Sequence, residues 1–406
     1  MQILFSISWR NIWRHPARSG VLIAAIVAGI WAGITISGLT NGIIEQRFNN
    51  LIQDDLTHLQ VHHPEFLAER ESPMILSQAD SILSFLESDS LVASAAPRTI
   101  VDGMIQSSVT TSGVQVRGID PGLERQTTTF HENLTSGEYL NSDLRNPLLM
   151  GERLAEKLNA EIGERVVLTF QDVNQELVTA SFTLSGLFKT ASGPFDESTT
   201  FARSDDLSEL LAGQPVTHEI VVMLQDEAKS TEMANTINHQ FEDAEAETWY
   251  ELSPELRYIT DFGGTMTFYV MVVIMLALAF GILNTMLMAI FERMRELGML
   301  MAIGMSKSRI FFMIMIESVI LTLSGAAAGI VLAWISITLL HKNGLDLSAV
   351  GGDSMAEFGY DSVIYPTVQS GDYIATILLV ILTAVLAAVY PALKALRLNP
   401  GEVVRE

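Results

Sequence analysis

Four long apolar segments constrain the fold of this chain more than any other feature of its sequence. Each contains about 20 or more predominantly apolar residues, at positions 20–40, 264–291, 310–340 and 373–396. About 20 residues of α-helix suffice to cross the hydrocarbon core of a bilayer, which is about 30 Å thick. The sequence therefore predicts an α-helical membrane protein with four transmembrane helices and a large domain, residues 41–263, inserted between helices 1 and 2.

The distribution of basic residues predicts how the chain crosses the membrane. Lysine and arginine cluster in three regions beside the apolar segments: Arg10, Arg14 and Arg18; Arg293, Arg295, Lys307 and Arg309; Lys394, Arg397 and Arg405. The loop 341–372 instead contains one lysine and five acidic residues. Because lysine and arginine are enriched in cytoplasmic loops, we expect both termini in the cytoplasm and the large domain outside it. The first segment lacks a convincing cleavage site, so we interpret it as an anchor rather than a signal peptide.

The inserted domain carries nearly all of the negative charge. Residues 41–263 contain 13 Lys and Arg against 37 Asp and Glu, and the whole chain has a formal net charge of −23. This balance argues against a nucleic acid or an anionic lipid as the ligand of the domain. The chain has no cysteine, so the domain must be stable without disulfides, as a core drawn from about 200 residues can be.

Strand and helix patterns predict that the large extracytoplasmic domain is of the α+β class. Helical spacing over 41–55 and 254–267 predicts two stalk helices that join the domain to the membrane. A strand, helix, strand order occurs near each end of the domain, and the second unit is expected to end with a strand at 246–252. The pattern between these units predicts an inserted, mostly β subdomain at about 106–215.

The polar loop 189–200 of this subdomain contains Pro194 and Phe195. An exposed phenylalanine beside a proline on a polar loop indicates either a partner-binding tip or an ordinary hairpin turn. The residues alone favour neither alternative.

Two amphipathic stretches lie beside the apolar segments. Residues 1–19 mix isoleucine, leucine and tryptophan with arginine, which predicts an interfacial helix at the cytoplasmic surface. Residues 292–309 begin with charged side chains, place apolar residues on one face and reach a helix-ending glycine at Gly304. Such a helix favours contact with a cytosolic partner, although a simple interfacial connector has the same pattern. Residues 397–406 are expected to form a cytoplasmic tail.

The sequence has none of three common catalytic motifs. It contains no G-x-x-x-x-G-K-[ST] phosphate loop, no G-x-S-x-G elbow and no H-E-x-x-H pair. We therefore predict no catalytic residue and no bound cofactor in this chain, and we expect any energy-supplying ATPase to be a separate subunit. His58, His62 and His63 lack a further ligand that would complete a metal site, so we predict no metal and interpret them as surface histidines at a strand end.

The third apolar segment contains two further candidates. Glu317 lies about two helical turns inside it, and an ionisable group at such a position is a functional candidate that pairs with a neighbouring helix or steers coupling motions. The alternative is that Glu317 reaches the interface and merely pairs with Arg309. Gly325 and Gly329 form a small-residue face of the kind that lets two helices approach closely.

Separated motifs resemble the MacB/FtsX/LolC–LolE superfamily of ABC transporter permeases. The coupling region of that family, R-x-R-E-x-G-x-L-[RK]-A-x-G followed by an Ile and a Glu, is matched at Arg293, Arg295, Glu296, Gly298, Leu300, Ala302, Gly304, Ile310 and Glu317. Met301 departs from it, because the family often has a basic residue there. The W-R-N-I start at 9–12, the run 146–168 and the ending from Tyr390 also resemble family features.

The resemblance implies a MacB-like periplasmic core domain and a permease dimer, of identical or different chains, in the bacterial inner membrane. It implies a mechanotransmitter driven by a cytoplasmic ABC ATPase that uses ATP and Mg. The chain looks most like the LolC/LolE type, which implies extraction of lipoproteins from the inner membrane for transfer to a periplasmic carrier. The alternatives are MacB-like efflux of a drug, peptide or toxin with a periplasmic adaptor, FtsX-like control of a cell-wall hydrolase, and an integral-membrane enzyme.

The resemblance also assigns roles to particular residues. It implies that the ATPase-coupling residues are Arg293, Arg295, Glu296, Gly298, Leu300, Ala302 and Gly304. It implies that Gly325 and Gly329 pack in the dimer interior, and that Pro194 and Phe195 lie near a protruding loop that engages a periplasmic chaperone in LolC-type proteins.

Overall fold

The computed structural model describes residues 16–140, 143–348, 355, 357 and 360–396. Most of the predicted interfacial helix 1–19 and the predicted tail 397–406 lie outside the described residues. The chain divides into two compact units. We call Met1–Ile44, Thr260–Asp346 and Val363–Glu406 the helical unit, and Glu45–Ile259 with Leu347–Ser362 the sheet unit.

Long helices alternate with a central series of strands and short helices along the described chain. The order of elements is α1 (Pro16–Leu51), a π-helical turn (Ile52–Leu56), β1 (Leu59–His62), α2 (Phe66–Glu69), α3 (Ala79–Ser88), β2 (Val92–Gln106), β3 (Thr111–Ile119), α4 (Pro121–Thr127), a 3-10 turn (Phe130–Asn133), β4 (Leu134–Gly137), β5 (Pro147–Gly151), α5 (Glu152–Leu158), β6 (Arg165–Gln171), β7 (Leu177–Phe188), α6 (Gly193–Ser198), β8 (Thr199–Arg203), α7 (Ser204–Ala212), β9 (Glu219–Leu224), a 3-10 turn (Glu227–Lys229), α8 (Ser230–Gln240), β10 (Glu245–Thr248), α9 (Trp249–Leu252), α10 (Pro254–Glu292), α11 (Met294–Ala302), α12 (Lys307–Asn343), β11 (Leu345–Asp346), β12 (Val363–Ile364) and α13 (Ser370–Leu396).

Four helices among the described residues are long and apolar enough to cross a membrane. They cover Ser19–Leu56, Phe262–Glu292, Lys307–Asn343 and Ser370–Leu396. Each contains one of the four predicted apolar segments in full and extends beyond it, because helical spacing continues into more polar sequence. The stretches predicted as stalks are therefore continuous with spanning helices: α1 passes through residue 41 without a break, and α10 begins at Pro254.

Close packing of α12 against α1 depends on two glycines. A Cβ atom built at Gly325 would lie 2.8 Å from Ile26 Cγ2, and one built at Gly329 would lie 3.0 Å from Ile30 Cβ. Both isoleucines are buried, so there is no free space for a larger side chain. Both glycines thus contact α1 of the same chain, and their place in the dimer interior stays a prediction.

Replacing Gly325 by valine should destabilise the helical unit. The added methyl groups would overlap the Ile26 side chain, and overpacking of a filled core costs about 1–3 kcal/mol. Thermal unfolding of the full-length protein in detergent would measure the loss. Gly281→Ala is the matched control, because a Cβ at Gly281 meets nothing within 4 Å. Equal unfolding midpoints for the two variants would contradict the packing role of Gly325.

The sheet unit is built around one ten-stranded sheet in the described residues. Its strands lie in the order β10-β1-β9-β2-β3-β8-β5-β7-β4, and β6 pairs with both β2 and β7. Strand β2 has 15 residues, so its first half pairs with β9 and its second half pairs with β3 and β6. The strands of the predicted β-rich insertion therefore belong to the same sheet as the strands from the two ends of the domain.

Two apolar clusters hold helices against this sheet. In the first, α3 and α8 bury Ile82, Leu86, Met233 and Ile237 against β1 and β9. In the second, α5 and α7 pack against β2, β3, β6 and β7. Burial of apolar area on this scale is the main term that favours the folded domain. The predicted α+β class is therefore correct for this unit.

The predicted strand at 246–252 was wrong over its second half. Strand β10 ends at Thr248, and α9 follows at once. The Thr248 side chain and the Glu251 carboxylate form a capping box, which satisfies backbone N–H groups at the helix start and so favours helix over strand. The alternation of apolar and polar residues is ambiguous over such a short stretch.

Candidate functional site

The amphipathic stretch 292–309 forms a short helix between two spanning helices of the helical unit. Arg293 has non-helical backbone angles and separates α10 from α11. After Ala302 the chain turns at Gly304, whose φ of +101° favours glycine, and α12 begins at Lys307. Leu297 and Gly298 are buried, and Leu297 packs with Ile310 and Met313. The predicted helix is thus present, but it covers only Met294–Ala302.

An ion pair joins the start of this helix to α12. Arg293 Nη1 lies 3.0 Å from Glu317 Oε1 and 3.3 Å from Oε2. The two side chains are only 11% and 12% exposed. Arg293 Nε is also 3.6 Å from Glu296. The suggested pairing of Glu317 with Arg309 was therefore wrong: Arg309 is exposed, and Glu317 connects α12 to the coupling region itself.

An apolar cavity of about 320 Å³ lies beside this ion pair. Its walls come from the end of α10, from α11 and from the start of α12: Met286, Ala289, Ile290, Arg293, Glu296, Leu297, Met299, Leu300, Ile303, Met313, Ile314 and Glu317. Flexible methionines adapt to different apolar shapes. The cavity is therefore suited to receive an apolar group from outside the helical unit, next to a fixed pair of charges.

The predicted coupling residues divide into two sets. Arg293, Glu296 and Leu300 line the cavity, and Gly298 is buried beside it. Arg295, Ala302 and Gly304 are exposed. Ile303 was not predicted as a site residue, yet its side chain lines the cavity and is 79% exposed. Its place on the apolar face of the helix was the sequence signal that could have identified it.

Segment 189–200, predicted as a loop, contains the short helix α6. Pro194 occupies its first turn, where a proline is favoured, and Ser192 caps it by accepting a hydrogen bond from the Phe195 backbone. Phe195 is half-buried against Phe188 and Phe201. The expectation of an exposed Phe195 was therefore wrong, because the ring completes an aromatic cluster. Pro194 is exposed.

A buried carboxyl group holds this segment in place. Asp196 is 2% exposed and accepts hydrogen bonds from the Thr190 backbone N–H, 3.1 Å, and the Thr190 hydroxyl, 2.7 Å. Burial raises the pKa of Asp196 to about 6, although the hydrogen bonds from Thr190 oppose that shift. Asp196 therefore titrates near pH 6.

The stability of the sheet unit should depend on pH through Asp196. The pKa is about 6 in the folded state and about 4 in an unfolded chain. The contribution of Asp196 is thus fully present below about pH 4 and is lost as the pH rises through 6, with a total of roughly 3 kcal/mol. We expect the difference in unfolding free energy between wild type and Asp196→Asn to change in this direction between pH 4 and pH 7. A constant difference would contradict the assignment.

Of the three histidines predicted at the surface, His58 and His63 are partly exposed and His62 is not at the surface. His62 is fully buried, and its Nε2 lies 3.1 Å from Glu247 Oε2 across the β1 and β10 pair. Within the described part of the chain, no group of three or more His, Cys, Asp or Glu side chains is placed to hold a metal ion.

Sequence reasoning missed a buried charge cluster in the sheet unit. Arg98, with a side chain that is 0% exposed, pairs with Asp55, Glu124 and Glu219. Arg117 also pairs with Asp55. These five residues lie on β2, β3, β9, α4 and the π-helical turn after α1, so no local spacing relates them. An arginine inside a long apolar strand was the one available signal.

These features define a multi-pass α-helical membrane protein with an α+β domain and a short amphipathic helix between two of its spans. Two family models match the chain: the MacB-like periplasmic core domain at residues 19–240 and the FtsX-like permease C-terminal at residues 268–400. The chain belongs to the MacB/FtsX/LolC superfamily of ABC transporter permeases.

Curated relatives of two kinds are similar to the chain. The lipoprotein-releasing system transmembrane protein LolC of Neisseria meningitidis serogroup B is 22% identical over 404 residues, which cover 95% of this chain and 93% of that protein. LolC of Xylella fastidiosa is 23% identical over 396 residues. The macrolide export ATP-binding/permease protein MacB of Neisseria meningitidis serogroup A is 22% identical over 365 residues, which cover 83% of this chain but 53% of that protein.

Solved structures of related domains show partial similarity. The periplasmic region of MacB from Actinobacillus actinomycetemcomitans matches with a TM-score of 0.35 and 15% identity, covering 50% of this chain and 94% of that chain. The extracellular domain of the noncanonic ABC-type transporter YknZ from Gram-positive bacteria matches with a TM-score of 0.33 and 11% identity. The match covers 47% of this chain and 100% of that chain.

Proposed function

We propose that this protein is a permease subunit of an ABC transporter that releases lipoproteins from the bacterial inner membrane to a periplasmic carrier. The observation that carries this proposal is the match to LolC, which extends over 95% of this chain and 93% of that protein. The match to MacB extends over 53% of that protein. In this proposal the termini lie in the cytoplasm and the sheet unit lies in the periplasm, in keeping with the distribution of basic residues.

The helix α11, the ion pair between Arg293 and Glu317 and the cavity beside them form what we call the coupling site, and their arrangement supports a mechanical role. In our proposal, a separate cytoplasmic ABC ATPase, which binds ATP and Mg, contacts α11 and places an apolar side chain in the cavity beside Arg293 and Glu317. Movement of α11 would reach α12 through this ion pair. It would also reach the sheet unit, because α10 continues from Pro254 to Glu292 as one helix. A second permease subunit, identical or different, would complete the transporter. Pro194 and Phe195 would lie near the part of the sheet unit that binds the periplasmic carrier.

Efflux is the second candidate function. MacB relatives are as similar to the chain per residue as LolC relatives, at 22% identity. A drug, peptide or toxin would then be the cargo, and a periplasmic adaptor would replace the lipoprotein carrier. The two functions share the coupling site, so the accompanying proteins distinguish them.

Affinity purification from the native membrane, followed by mass spectrometry, tests the proposal. We expect an ABC ATPase together with acylated lipoproteins or their carrier. An ATPase with an adaptor and an outer-membrane channel would instead support efflux.

A charge reversal in the short helix α11 tests the predicted contact with the ATPase. Arg295 is exposed on α11, and Arg295→Glu should prevent copurification of the ATPase. The control is Lys342→Glu, at the end of α12 that is distant from α11, and it should retain the ATPase. Absence of any ATPase from the wild-type preparation would refute both functions.

A further inference from the structure

The last turns of α1, from Glu45 onward, belong to the sheet unit. They end in the π-helical turn Ile52–Leu56, which contains the consecutive aspartates Asp54 and Asp55. Asp54 accepts hydrogen bonds from Thr129 Oγ1, at 2.7 Å, and from Asn133 Nδ2, at 2.9 Å. The backbone oxygen of Asp55 accepts a hydrogen bond from Arg98 Nη1 at 2.9 Å. Single π-helical turns are rare and occur often at functional sites. Both aspartates fasten this helix end to the domain.

Arg117 connects the helix end to a second element. On one side its guanidinium donates a hydrogen bond to Asp55 Oδ1. On the other side the guanidinium carbon lies 5.3 Å from the centre of the Phe195 ring. Its Nε donates to Gln115 Oε1 at 3.0 Å, and the side chain is 13% exposed. A cation at this distance from an aromatic ring is attracted to it, so Arg117 contacts both the helix end and segment 189–200.

The helix end and segment 189–200 also face each other across a small cavity of about 60 Å³. Its lining residues come from both elements: Arg47, Asn50, Leu51, Asp54 and Asp55, and Thr190, Ala191, Ser192 and Phe195. The hydrogen bonds from Thr190 to Asp196 lie within the segment and do not reach the helix. The segment can therefore keep its own shape while its contact with the helix end changes.

We propose that Arg117 is a positioning residue that links Asp55, at the end of the first spanning helix, to Phe195 in the segment that would bind a partner. A nearly buried ion pair resists separation more strongly than a single contact between a cation and a ring. A shift of the helix end that keeps Asp55 within reach of Arg98 draws the Arg117 side chain with the Asp55 carboxylate and away from the Phe195 ring. Phe195 then loses one contact, and segment 189–200 opens. This inference rests on the proposed function, because ATP-driven movement of the helix is its source of work.

Hydrogen exchange of the full-length protein in lipid nanodiscs tests the static part of this link. In Arg117→Met, backbone amides of segment 189–200 should exchange about tenfold faster than in wild type, since local opening becomes easier. The matched control is Arg125→Met, because Arg125 lies 4.5 Å from the Tyr139 ring but outside this link. Unchanged exchange in the segment, or an equal rise over the whole sheet unit, would overturn the proposal.

A second variant keeps the test valid if Arg117→Met unfolds. Phe195→Leu removes the ring but retains the pair of Arg117 with Asp55. Exchange should rise in segment 189–200 and stay at the wild-type rate in the π-helical turn Ile52–Leu56. Faster exchange in that turn as well would mean that Phe195 merely stabilises the domain.

The dynamic part is measured in the complex with the ATPase. A non-hydrolysable ATP analogue should accelerate exchange of segment 189–200 in wild type and have no further effect in Arg117→Met. If the analogue acts equally in both, the link is refuted while the transporter function stands. If the analogue has no effect in wild type although Arg117→Met accelerates exchange, ATP does not drive the link and the proposal is overturned. The proposed function would then still stand, because it fails only if no ATPase copurifies with the protein.

Discussion

In the transporter that we propose, replacing Glu317 by glutamine should reduce cargo-dependent ATP hydrolysis by about tenfold or more. This factor is equivalent to about 1.4 kcal/mol of lost coupling free energy. The carboxylate of Glu317 accepts two close contacts from Arg293, at 3.0 and 3.3 Å, with both side chains about nine-tenths buried. Glutamine has nearly the same shape but no charge, so Arg293 would remain at the protein interior without its strongest partner. Removing one member of such a pair is costly because the other charge stays desolvated.

The readout is the ratio of ATPase rates with and without cargo, measured in proteoliposomes. Arg309→Gln is the matched control, because Arg309 is exposed near the start of the same helix. It should leave the ratio unchanged. If Glu317→Gln also left it unchanged, the ion pair would have no part in coupling. Because the two substitutions change the net charge in opposite directions, an equal loss in both would point to a general sensitivity of this end of α12 rather than to this pair.

The helical unit was largely predictable because its signals are local. A long apolar run without a charged residue identifies a spanning helix by length alone, as for residues 264–291 within α10. The short helix α11 was predicted from charged residues, the apolar spacing that follows them and a helix-ending glycine, Gly304. The φ of Gly304 is positive in the structure. In each case the residues that specify the element are also the residues that form it.

The failures concern pairs of residues that are distant in sequence. Arg293 and Glu317 are separated by 24 residues, and sequence spacing offered the nearer Arg309 instead. The small-residue face at Gly325 shows that some helix packs there but not which one, so its contact with α1 of the same chain was not predicted. Phe195 looked exposed because the neighbouring residues are polar, whereas its ring reaches a cluster made by other strands. Partner identity is a property of the tertiary fold, so local patterns do not encode it.

Replacing Arg98 by methionine should destabilise the sheet unit by about 3–5 kcal/mol, the usual cost of removing one partner from a buried ion pair. Arg98 Nη2 lies 2.6 Å from Glu124 Oε1, Nε lies 3.2 Å from Glu124 Oε2, and Nη1 lies 3.2 Å from Glu219. Methionine fills a similar volume but leaves both glutamates buried without this cation. For a domain of this size the thermal midpoint should fall by roughly 6–20 °C.

Scanning calorimetry of the full-length protein in detergent would measure this shift, and two variants define its cause. Arg203→Met removes an arginine whose 2.7 Å pair with Asp206 is partly exposed, and it should cost less than about 1 kcal/mol. Arg98→Lys retains the charge but not the planar fork that contacts Glu124 through two nitrogens, so it should recover only part of the loss. Full recovery by lysine would show that net charge, rather than guanidinium geometry, joins the strands to the end of the first spanning helix.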